Sequence, residues 1–164
     1  IMITEGGSSN SHSGTDISSW AAERMQKAYS FLPMVYPQIK AMVASDYGSS
    51  WEVTDYTFYD NAVVTAAYNK AVAQIPAAEE NGTASYYTKL SAYPAKWSGT
   101  IKLAAYTYSP DKLNASMYID GKWKTAAMDY PYSFTLDTSS LAPGNHTLQI
   151  RFSNGAEKTY NFTV

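Results

Sequence analysis

Glu5, Asp46, Tyr47 and Trp51 stand where side chains of the right type could meet a ligand. Glu5 closes a short apolar, β-branched run from Ile1 to Thr4 and is followed by Gly6 and Gly7. A carboxylate at the end of a buried strand suits nucleophilic or acid–base work. The two glycines let the backbone turn without crowding a ligand. The plain alternative is that Glu5 begins a solvated loop. Asp46 follows a second apolar run. It can orient a ligand or a catalytic neighbour, or bond to backbone amides of its own loop. Tyr47 and Trp51 lie in that same loop and present flat faces with polar tips. Trp20 sits at helical spacing among apolar neighbours, so it is expected in the core.

Other chemistries find little footing. His12 and His146 lie far apart with no partner at metal-ligand spacing, so both read as surface or turn residues. Ser8, Ser9 and Ser13 near His12 do not form a nucleophile signature. The absence of cysteine excludes disulfides, thiol catalysis and cysteine-ligated metal. A net charge of −2, without a Lys/Arg cluster, gives no footprint for nucleic acid. No apolar run approaches the roughly 20 residues that span a bilayer. No cofactor is expected. Asn81, Asn114, Asn145 and Asn161 each open an N-x-Ser/Thr triplet and read as incidental.

With 45% hydrophobic and 16% charged residues the chain is globular, and 15 tyrosines and 4 tryptophans stand in for the missing charge. The run Ile1–Thr4 reads as a strand entering a polar loop. Asp16 or Thr15 can cap a helix whose apolar positions are Ile17, Trp20, Ala21, Met25, Ala28, Phe31, Leu32 and Val35, with Pro33 and Pro37 ending it. Residues 39–44 read as a second strand. A second helix, capped by Asp60, carries Val63, Val64, Ala67, Tyr68, Ala71, Val72 and Ile75 on one face and stops at Pro76. Strand, helix, strand, helix is the grammar of parallel α/β structure.

Residues 79–84 are small and polar and read as a linker between residues 1–78 and 85–164. Beyond it the pattern has period two. Strands are predicted at 86–92, 100–106, 115–120, 122–127, 132–136, 146–152 and 158–164, with turns at Asp120-Gly121, Pro143-Gly144 and Asn154-Gly155. About seven short strands argue for a Greek-key sandwich. Trp97, Trp123, Tyr106, Tyr108, Tyr118 and Tyr130 could form a binding platform there, though alternation favours a core role.

From Met117 to Gly155 the run DGK followed by YPYSFTLDTSSLAPGNHTL resembles bacterial immunoglobulin-like modules. These are spacers or display platforms on secreted and surface enzymes. The first half is similar to the last two βα units of a clan of retaining glycosidases with (β/α)8 barrels, nearest to glycoside hydrolase family 26, the β-mannanase-like family. The similarity lies in IMITEGGSS at 1–9, MVYPQIKAMVASDYGSSWEV at 34–53 and DNAVVTAAYNKAV at 60–72. One departure is that Ala44-Ser45 stands where such enzymes usually carry an aromatic.

The resemblance implies a fold class of α/β plus all-β, a partial barrel followed by an immunoglobulin-like β-sandwich. It makes Glu5 the candidate nucleophile, with Asp46, Tyr47 and Trp51 candidates for substrate binding and no metal. The substrate it implies is a β-linked polysaccharide, and the location extracellular or at a bacterial cell surface. The acid/base of such enzymes lies on an earlier strand that this sequence lacks, so the isolated chain is expected to be inactive. Two βα units leave sheet edges open. A partner is therefore expected, either the rest of the barrel or another copy of the chain. The alternative is a non-catalytic surface scaffold or carbohydrate-binding protein.

Overall fold

The structure, a computed structural model, describes residues 2–36, 38–39, 41–48, 53–73, 88–107 and 109–164, apart from the side chains of residues 4 and 5. The chain falls into two compact units, Ile1–Tyr87 and Thr88–Val164. The expected linker at 79–84, together with Ile75 and Pro76, lies outside the described residues.

In the first unit β1 (Met2–Gly6) pairs in parallel with β4 (Ala41–Ala44), and α1 (Ser18–Val35) connects them. Met2 lies opposite Ala41, Ile3 opposite Met42 and Gly6 opposite Ala44, with a register shift between Ile3 and Gly6. Met42 and Ala44 pack toward a core made by Ala21, Ala22, Met25 and Tyr29 of α1, Phe58, and Val64 and Ala71 of α2 (Ala62–Val72). The alanines let the two helices approach closely. Met2, Ala41 and Val43 point the other way and are exposed. The loops that leave β1 and β4 build a small antiparallel sheet, with β2 (Ser11–His12) between β3 (Thr15–Asp16) and β5 (Thr54–Asp55).

Several local expectations are corrected. Pro33 does not stop α1, which continues to Val35; only the final turn follows it, so a single missing N–H costs little helix. Trp20 is exposed, because the buried stripe runs through Ala21, Met25 and Tyr29, and Arg24 lies over its ring at 5.4 Å. Val63 is likewise exposed while its neighbour Val64 is fully buried. The cap of α2 is Asn61 and not Asp60: the Asn61 side chain accepts from the Val64 amide at 3.1 Å. The N-cap of α1 is Ile17, which makes no side-chain cap bond, and not Asp16 or Thr15; Asp16, one residue earlier, accepts from the Ser18 amide at 2.8 Å and the Ser18 hydroxyl at 2.5 Å.

The second unit is a two-sheet sandwich. One sheet has the order β11-β10-β7-β8, and the other pairs β6 with β9. The strands are β6 (Thr100–Ala105), β7 (Ala115–Ile119), β8 (Lys122–Ala127), β9 (Tyr132–Asp137), β10 (Asn145–Phe152) and β11 (Glu157–Thr163). All sheet pairs are antiparallel. Alternation is strict where it matters: Ala115, Met117 and Ile119 are buried, as are Tyr132, Phe134 and Leu136. Tyr132 of β9 meets Phe152 of β10 edge to face at 5.3 Å, and its hydroxyl accepts from the Leu113 amide at 3.0 Å.

The hairpin turn predicted at Asp120-Gly121 forms, with φ of 52° and 73° at the two residues, as a type I′ turn requires. The strand expected at 86–92 does not appear among the described residues. Leu90–Ala92 is one turn of 3-10 helix, and the chain reaches the sheet only after Pro94, which offers no ladder donor. There Lys96 bridges Thr163 in parallel, with the Trp97 amide donating to the Thr163 carbonyl at 2.8 Å.

Candidate functional site

The carboxyl ends of β1 and β4 lie side by side, as parallel pairing dictates. The Ser45 amide donates to the Gly6 carbonyl at 2.9 Å, tying the two exits together. Gly7 keeps this approach open: a Cβ on it would sit 3.1 Å from the Ser45 carbonyl oxygen, so Ser45 would have to shift by a few tenths of an ångström. The Tyr29 hydroxyl donates to the same Gly6 carbonyl at 3.0 Å. Burial first, and the neighbouring Tyr68 second, push the Tyr29 phenol up to about 12, so it stays a neutral donor.

Beyond these exits the loops are held to each other. The Asn10 amide donates to the Asp55 carbonyl at 2.8 Å, and the Asn10 side chain donates to the Thr57 carbonyl. The Asn61 side-chain amide donates to the Ser18 hydroxyl at 2.5 Å. Gly48 faces Asp55 and Thr57 so tightly that a Cβ would sit 2.8 Å from each.

Glu5 is the penultimate residue of β1, and its side chain lies outside the described residues, as does all of Trp51. Asp46 is exposed, and one of its carboxylate oxygens accepts from the Phe58 amide at 2.8 Å. Tyr47 is also exposed, and its carbonyl accepts from the Tyr56 amide at 2.9 Å. Asp16 and Asp55 are held below the ordinary carboxylate range, chiefly by side-chain hydrogen bonds from Ser18 and Thr57 and then by the amides of those residues. That direction suits a structural anion and is opposite to what a general acid needs. Among the described residues no group of three metal-ligating side chains is found.

The second unit holds a pair that sequence reading missed. His146 Nδ1 lies 2.7 Å from an Asp120 carboxylate oxygen, and its Nε2 lies 2.7 Å from the Ala142 carbonyl. Both partners accept, so the imidazolium is the form that satisfies both nitrogens. The other Asp120 oxygen accepts from the Thr147 amide at 2.8 Å. The pair lines an open cleft of about 430 Å³ together with Asn145, Thr147, Asn161 and Phe162. The 26 residues that separate the two partners hid the pairing from sequence reading.

The six aromatics of the sandwich separate. Trp97 is buried against Phe162, rings stacked 4.1 Å apart, and Tyr130 is buried as well. Tyr106 and Trp123 are exposed, Tyr118 is half-buried, and Tyr108 lies outside the described residues.

No family model and no curated protein matches this chain. Among solved structures it is similar to fibronectin(III)-like modules of Clostridium thermocellum CbhA, at 17% identity over 46% of this chain and 93% of that one, with a TM-score of 0.36. It is also similar to the endo-beta-1,4-mannanase from Thermotoga petrophila, at 10% identity and a TM-score of 0.38. That alignment covers 100% of this chain and 38% of the mannanase, so the chain spans well under half of that enzyme's length. Likenesses at these TM-scores establish no common fold.

Proposed function

We propose that the chain is part of a secreted bacterial glycoside hydrolase that cleaves a β-linked polysaccharide with retention, Glu5 serving as nucleophile. The observation that carries the reading is the parallel pairing of β1 with β4, which opens both strand ends into one hydrogen-bonded loop layer with Glu5 one residue before its start. In β/α architectures the working groups gather at that end of the strands. The sequence likeness to family 26 around 1–9 and 34–53 supports the same reading. In it, Asp46, Tyr47 and Trp51 contact the substrate.

Retention needs a second carboxyl group about 5–5.5 Å from the nucleophile. Asp46, already bonded to the Phe58 amide, and Asp16 and Asp55, both held ionised, are poor candidates. In this reading the acid/base comes from an earlier strand of the barrel, as the family resemblance implies, and the isolated chain is inactive. The test is Glu5→Gln in the protein that carries the remaining barrel strands. Loss of hydrolysis of neutral β-mannan and β-glucan, with the fold retained, is expected. Undiminished hydrolysis would reject Glu5 as nucleophile.

A non-catalytic, carbohydrate-binding role is the second reading. It is favoured by the structural use of Asp16, Asp46 and Asp55 just described, and an unaltered fold that hydrolyses nothing even with the rest of the barrel would support it.

A further inference from the structure

On β8 strict alternation from the half-buried Thr125 would turn Trp123 toward the sandwich core. It does not, because the β7–β8 ladder slips by one residue. Met117 faces Thr125, yet the next residue, Tyr118, faces Trp123, leaving Lys124 as the extra residue of a bulge. A one-residue slip exchanges the two faces of a strand. The outcome is a tryptophan 60% exposed directly beside Tyr118 on the outer face of the four-stranded sheet. Single exposed apolar residues are ordinary on protein surfaces. A bulge that reverses an indole from core to solvent, next to a second ring, is not.

The register continues the row. Tyr118 faces Gln149 on β10, and Gln149 faces Thr159 on β11. At the usual strand spacing, Trp123 and Thr159 stand about 14 Å apart. The exposed Trp123 ring, with Tyr118 beside it, thus gives way to hydrogen-bonding side chains along one line. Among the described residues the Gln149 side chain has no hydrogen-bond partner. Arg151 lies over the Tyr118 ring at 4.7 Å and is 3.3 Å from Glu157, so its charge is already answered. An exposed indole beside a free amide, with Arg151 already paired, suits a polyhydroxylated chain, whose ring faces stack and whose hydroxyls bond.

The geometry points to this outer face as a binding platform for a neutral β-linked polysaccharide, stacked on Trp123, flanked by Tyr118 and hydrogen-bonded by Gln149. The platform lies wholly in the second unit. Only the choice of a neutral β-linked polymer rests on the hydrolase reading.

The test is affinity electrophoresis of the whole chain in gels containing hydroxyethylcellulose or galactomannan, with titration calorimetry on the same polymers. Wild type should be retarded by at least one of the two. Trp123→Ala should weaken binding about tenfold or more, Trp123→Phe should recover part of the loss, and Gln149→Ala should fall between. Trp123 is solvent-facing, so circular dichroism of the alanine variant should match wild type. Equal binding by wild type and Trp123→Ala, or no retardation by either polymer, overturns the platform. Hydrolysis undiminished by Glu5→Gln would reject the nucleophile and leave a loss of binding by Trp123→Ala standing, which keeps the two failures distinct.

Discussion

The Tyr29 hydroxyl donates to the Gly6 carbonyl at 3.0 Å, fastening the buried face of α1 to the last residue of β1. That carbonyl also accepts from the Ser45 amide, so one oxygen joins helix, first strand and second loop. Tyr29 is itself packed edge-on against Tyr68 of α2 at 5.0 Å. Tyr29→Phe keeps the packing and removes only the donor. It should lower stability by about 1 kcal/mol, read by urea denaturation, and should delete a phenol that ionises near 12 from the alkaline absorbance titration. No change in either would show that the bond does not hold the strand end.

Asn61 serves α2 twice, capping the Val64 amide and donating to Ser18 at the start of α1. Asn61→Ala should therefore cost about 1–2 kcal/mol, the upper part of the range for a lost cap, and Asn61→Asp should recover the cap alone. Thermal melts of the three proteins give the ordering directly.

The Asp120–His146 pair predicts a pH dependence of known sign. The His146 pKa is raised above 6.5, first by its hydrogen bond to Asp120 and then by the Ala142 carbonyl. Its contribution is complete below about pH 6.5 and is lost as pH rises through the folded-state value. Asp120 is lowered from 3.8, chiefly by the His146 hydrogen bond, so its share is present above that value and is lost as pH falls through the folded-state value. The pair supports the sandwich most between about pH 4 and about pH 6.5. The gap in melting temperature between wild type and His146→Gln should narrow from pH 6 toward pH 9, and a constant gap would contradict the charged pair. The pair is surface-facing, so the effect should also weaken with salt.

Met2, Ala41 and Val43 form an exposed face on a parallel two-stranded sheet, a class of sheet that is covered on both sides in folded proteins. We expect the 18.0 kDa chain to elute above its monomer size by associating through that face. Val43→Lys should shift it toward monomer without loss of helical signal. A well-folded wild-type monomer by light scattering would argue against the partner requirement.

Period and punctuation alone determine much of this chain. The change from helical spacing to alternation after residue 76, and glycines at 121 and 155 with φ of 73° and 87°, are local properties, and a local reading finds them. What needed the tertiary structure is what depends on partners distant in sequence. Helical spacing could not tell that Trp20 would miss the buried stripe by one position, since Ala21 and Ala22 alone allow the close approach to α2. Alternation placed Trp123 in the core, and only the slipped ladder with β7 turns it outward. Asp120 and His146 meet because two antiparallel pairings bring the β7–β8 turn beside the start of β10. Glu5 stands at a strand end in both readings. The sequence supplies the residue type there, and only the parallel partner strand decides what faces it.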